Sequence, residues 1–227
     1  MTGETRSTRP AVTPSDLRIA AAICRRTLSP VSDGDWSVPA HGLDWDCRTM
    51  LDHACDCLAF YAHDLAGRIQ IVEGAARDGF AGADPLELIR TVEILTDVLT
   101  LVADGSPAEV RAFHPFGMAD PEGFLAMGAV ETLLHTWDIA TALGVPLTPT
   151  DQAEALAGKI VARLFPWAPA GVPAMNALLA CTGRGEVAGF ASIGTRWRWH
   201  AAPVAEWDGT IPLDLEAHHH DFEPDRA

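Results

Sequence analysis

The chain has 227 residues, 48% of them hydrophobic, and a formal charge of -15 at pH 7. The length suits one domain with a small appendage, and the apolar content suffices for a sizeable core. So acidic a chain lacks the basic surface that phosphates require, which excludes nucleic acid and an anionic membrane as expected partners. Small molecules or another protein remain as expected partners, with the chain itself a monomer or a homodimer.

No apolar h-region follows the polar start MTGETRSTRP, and no run approaches the roughly 20 apolar residues of a membrane span. The cysteines number 5, an odd count without the spacing of a secreted framework. The expected setting is cytoplasmic and reducing. The triplet His218 to His220 reads as a solvated tail.

Residues 1–12 read as a disordered arm. Thr13-Pro14-Ser15-Asp16 offers cap chemistry for a helix from about Ser15 to Leu28, stopped by Ser29-Pro30. Asp33 to Asp46 is a loop with two tryptophans, Trp36 and Trp45, expected to pack on the core as a lid. A second helix runs from near Asp46 to about Val72. Gly74 to Asp84 is a glycine-rich loop, and Pro85 opens a third helix that ends at Asp104-Gly105. Arg111 to Asp120 is irregular and carries His114. Asp120-Pro121 caps a fourth helix that closes on Gly144. A fifth spans Thr150 to Leu164, capped by Thr150 or Asp151, and a shorter one Pro173 to Thr182. Alternation over Phe190 to Trp207 predicts a short strand or hairpin. The expected fold is all-α: a four-helix bundle over 13–187 with additional C-terminal helices, then a small β or irregular extension over 188–227.

The fourth helix carries the chemistry. MGAVETLLHTWDIATALG, Met127 to Gly144, is apolar at helical spacing but contains Glu131, His135 and Asp138. Offsets of four and three put these on one stripe of the helix. Ionisable groups on an otherwise buried helix are costly unless paired or bound to a metal. His53, inside the second helix, is the natural third partner. Two imidazoles and a carboxylate make an open metal site with a position left for water or substrate. The alternative is a buried Glu–His ion pair that only fixes packing. Cys57, four residues after His53 on the same face, reads as an ordinary buried cysteine, with a fourth ligand that closes the site as the alternative. Asp138 is the expected acceptor that orients His135 or holds an arginine. His114 and Arg184 are candidate substrate or cofactor contacts, with packing and helix-dipole neutralisation as their other readings.

Three segments carry a resemblance: Trp45 to His53 (WDCRTMLDH), Met127 to Ala140 (MGAVETLLHTWDIA) and Leu178 to Arg184 (LLACTGR). They resemble the actinobacterial maleylpyruvate isomerase N-terminal-domain proteins of the DinB-like metalloenzyme superfamily. The resemblance implies a DinB-like bundle with a divalent metal, usually zinc, held by His53, Glu131 and His135. It implies a mycothiol-type thiol cofactor and an isomerase or S-transferase acting on a small electrophile. The stretch after the metal helix is short for the isomerases proper, so maleylpyruvate is not carried over as the expected substrate. A metal-dependent hydrolase of a small molecule is the second reading, and a non-catalytic metal-stabilised binding bundle the third.

Overall fold

The computed structural model describes residues 9–70, 82–191 and 193–213. Most of the arm expected at 1–12, the loop core at 71–81 and the His218 to His220 tail lie outside them. The described part is all-α: α1 Pro14–Leu28, α2 Cys47–Gly67, α3 Pro85–Asp104, α4 Pro121–Ala142, α5 Thr150–Leu164 and α6 Ala174–Cys181. No strand occurs among the described residues. No helix there is long and apolar enough to cross a membrane.

Each of α1 to α4 starts where polar side chains meet free N–H groups at its N-terminus. The Asp16 carboxylate accepts from the Thr13 amide at 2.8 Å. Asp46 accepts from Thr49 N–H at 2.7 Å. Asp84 and Glu87 cap each other's amides at 2.8 and 2.9 Å, a reciprocal box. Asp120 accepts from Gly123 N–H at 2.7 Å. Replacing such a cap by Ala costs about 1 kcal/mol. Past the end of α4, Gly144 takes φ +69°, a left-handed conformation that glycine adopts without a Cβ penalty.

α1 packs on α3 and α4, and α2 packs on the same two, so α1 and α2 face each other across the diagonal of a four-helix bundle. α5 lies against α4 and α1, and α6 against α5. α4 is therefore enclosed on nearly every side. From Pro121 to Ala140 its residues are buried apart from Glu122, Glu131 and Trp137. Gly128 lets three neighbours in: a Cβ there would stand 3.0 Å from Leu99 Cδ2 and 3.1 Å from Leu58 Cδ2, with Leu17 at 3.3 Å.

Four expectations need correction. The second helix stops at Gly67, five residues short of Val72, because Arg68 turns left-handed at φ 50° and its amide closes on Asp64 and Leu65 carbonyls. Residues 9–12 are held rather than loose: Arg9 Nη2 donates to Glu122 Oε2 at 2.8 Å and the Val12 amide to Glu122 Oε1 at 2.9 Å. α5 is preceded by Pro149, not by a capping Thr or Asp side chain. The described residues of Phe190 to Trp207 form no hairpin. They make 3-10 turns at Gly194–Arg196 and Val204–Glu206, and Trp197 bridges singly to Leu213. The apolar alternation there reflects aromatic packing on the bundle, with Trp199 and Ala201 buried.

Arg163 explains why that irregular segment stays in place. Its side chain is completely buried. It donates to the carbonyls of Ala201 and Ala202, both at 3.0 Å, and to Asp120 Oδ1 at 2.7 Å. One α5 cation thus ties the C-terminal chain to the cap of α4.

Candidate metal centre

Among the described residues, His53, Glu131 and His135 form a group whose potential ligand atoms all lie within 4.8 Å of one another. α4 supplies two of them one turn apart. Glu131 Oε2 stands 2.8 Å from His135 Nε2, with side chains 12% and 6% exposed. α2 supplies His53 from across the bundle, its ring centroid 5.3 Å from that of His135. Trp45, at the end of the loop before α2, sets its ring edge against His53 at 5.0 Å. That loop is fixed in turn: Cys47 N–H donates to Val38 O, and His41 N–H donates to Asp138 O on α4. The expected tryptophan lid is thus partly realised, with Trp36 buried in the core and Trp45 on the centre.

The donor set fits a divalent cation. Zinc bonds to imidazole and carboxylate at about 2.0–2.2 Å, so small side-chain rotations would let one ion reach all three groups. Around the donors, further side chains hold them in aim. Asp138 Oδ2 lies 3.1 Å from His135 Nδ1. A carboxylate there makes Nδ1 the proton-bearing nitrogen and leaves the Nε2 lone pair for the centre. Arg184 Nε and Nη2 each reach the Asp138 carboxylate at 2.8 Å. Tyr61 donates its hydroxyl to Glu131 Oε1 at 3.1 Å.

The electrostatics follow. Burial alone would push the His135 pKa down, but the hydrogen bonds and charges of Asp138 and Glu131 outweigh it, and the net direction is up. Burial would raise Asp138, but Arg184 first and His135 second bring it below the usual carboxylate range. Burial, with Glu131 beside it, raises Tyr61 well above 10, so it remains a neutral donor. His135 thus favours its protonated form between Glu131 and Asp138.

Each sequence candidate now has a place. His53, Glu131, His135 and Asp138 come together as expected. Cys57 lies outside the mutually close group, though its Sγ is 3.5 Å from His53 Nε2. Arg184 faces inward: besides gripping Asp138, its Nη1 donates to Thr182 O at 3.1 Å, which commits the guanidinium. His114 is 5% exposed, in an aromatic nest of Tyr61, Phe116 and Trp199 at 5.1–5.6 Å. Its Nδ1 accepts from the Phe116 amide at 3.0 Å, and burial pulls its pKa down to about 3.

Sequence reasoning missed Tyr61, which follows His53 and Cys57 at successive steps of four; that same-face spacing was the available signal. It named Trp45 as part of a lid but not its contact with His53, which depends on the path of a loop. Compared with family models, with curated proteins and with solved structures, the chain gives no match.

Proposed function

We propose that the protein is a metal-dependent enzyme that uses a low-molecular-weight thiol of the mycothiol type to isomerise a small electrophilic substrate or to join the thiol to it as an S-transferase. The observation that carries this reading is the convergence of His53, Glu131 and His135. Three protein donors leave a coordination position for an outside molecule, the pattern of catalytic rather than structural sites. A divalent ion, zinc foremost, would supply Lewis acidity there and favour the deprotonated form of a bound thiol.

The chain's own residues hold and aim. His53, Glu131 and His135 would bind the cation. Tyr61 fixes the Glu131 carboxylate, and Asp138 fixes the His135 tautomer. Cys24, Cys47, Cys55 and Cys181 are not poised as nucleophiles: burial pushes Cys24 and Cys181 up to about 12 and Cys47 to about 11, and raises Cys55 further. A nucleophile brought in from outside fits that chemistry.

Elemental analysis of the purified protein should give one divalent ion per chain, lost in His135→Ala. Titrating mycothiol into the cobalt-substituted protein should give a sulfur-to-metal charge-transfer band, absent in His135→Ala. Metal without a thiol band, but with a spectral response to small oxygen ligands, would move the function to the hydrolases. A full metal complement in His135→Ala would place the site elsewhere.

A further inference from the structure

We propose that Arg184, on the C-terminal side of α6, is a positioning residue that sets the metal affinity of the centre by fixing Asp138 and, through it, His135. The proposal rests on the metal reading above and deepens it.

The Asp138 side chain has no exposed surface, and that of Arg184 is 8% exposed. A carboxylate so deeply buried is costly unless its oxygens are fully engaged. Oδ1 receives Arg184 Nε at 2.8 Å, and Oδ2 receives Arg184 Nη2 at 2.8 Å. Oδ2 also faces His135 Nδ1 at 3.1 Å. Two parallel N–H donors from a planar fork fix both the position and the plane of a carboxylate, which a single ammonium cannot do. The imidazole then has one way to donate Nδ1–H, and its Nε2 is aimed at Glu131.

Arg184 is itself held from three sides. Its Nη1 is bound to Thr182 O, and the Trp197 ring lies 5.7 Å from its guanidinium carbon. The turn that delivers it depends on Gly183 at φ +68°, where a Cβ would fall 2.3 Å from the Gly194 carbonyl oxygen. Three of its five N–H donors are thus spent within the fold. The loop after α6 and the segment around Trp197 thus reach the centre through one side chain.

The test compares zinc affinity by chelator competition, and the cobalt absorption spectrum, across the wild type, Arg184→Met, Arg184→Lys, Asp138→Asn and the double variant Asp138→Asn/Arg184→Met. Leu156→Ala, in the α5 core, serves as a control for general destabilisation. Partners behind a metal-bound histidine typically contribute about 10–100-fold in affinity. Arg184→Met and Asp138→Asn should each lose that much and shift the cobalt bands. The double variant should be little worse than either, since both break one chain of contacts. Arg184→Lys should recover part of the loss, and it keeps the test decisive if Arg184→Met does not fold. Leu156→Ala should melt lower yet bind zinc as the wild type does. Wild-type affinity and spectrum in the Arg184 variants would overturn the positioning role while leaving the metal reading intact. A wild-type chain that takes up no metal overturns both.

Discussion

The hydroxyl of Tyr61 on α2 meets Oε1 of Glu131 on α4 at 3.1 Å, while Oε2 of the same carboxylate meets His135. Each oxygen of Glu131 thus has a separate partner on a separate helix. Exchanging the two oxygens would break both contacts, so the carboxylate keeps one orientation. Removing the hydroxyl in Tyr61→Phe should lower zinc affinity by about tenfold and stability by about 1 kcal/mol. Chelator competition and a urea melt measure the two separately.

Cys57 tests whether the centre is open. Its Sγ approaches His53 Nε2 at 3.5 Å yet stands outside the group of three donors. Cys57→Ser should keep one metal ion per chain, whereas His53→Ala should not. A stoichiometric loss in Cys57→Ser would mean a fourth protein ligand and a structural site.

Metal binding should be proton-coupled. The folded pKa of His135 lies above its ordinary value despite burial, because Asp138 and Glu131 stabilise the imidazolium. A cation must displace the proton on Nε2, so apparent affinity falls as pH drops below that raised pKa, by about tenfold per unit for each proton displaced. Calorimetric zinc titration in buffers of different ionisation heat should count at least one proton released. In the metal-free protein the same raised pKa stabilises the fold below the unfolded histidine value, and this is lost as pH rises through the folded one.

His114 has the opposite sign. Burial depresses its pKa to about 3, so between that value and 6.5 the unfolded chain takes up a proton that the folded one refuses. Stability is fully present above about 6.5 and falls at up to about 1.4 kcal/mol per pH unit below it. Denaturant melts at pH 7 and pH 5 should show the drop in the wild type and a flatter profile in His114→Leu. Equal slopes would mean that His114 is hydrated in solution.

The helices and the metal residues were legible because both follow from short-range rules. Caps at Asp46, Asp84 and Asp120 mark helix starts, and the four-then-three spacing of Glu131, His135 and Asp138 survives any tertiary arrangement that keeps α4 helical. His53 could be paired with them only because a bundle brings α2 beside α4. What stayed illegible depends on how loops cross the bundle. Trp45 meets His53 by the path of the loop before α2. Arg184 reaches Asp138 from 46 positions away because Gly183 and Trp197 steer it, and no local pattern encodes that approach. The tail misled for a related reason. Alternating tryptophans look alike whether they pack from a strand or from an irregular segment pinned by Arg163.

The enclosure of α4 has a kinetic consequence. A helix covered by α1, α2, α3 and α5 cannot fray in its middle, so its amides around Glu131 and His135 belong to the part of the molecule that exchanges with solvent last. An ion held by His53, Glu131 and His135 would meet the two α4 side chains already in place, and its loading and release would follow the motion of His53, which is partly exposed on α2. The residence time of a bound ion would be set by how often one imidazole swings aside, and the lifetime of the fold would be set by a different barrier.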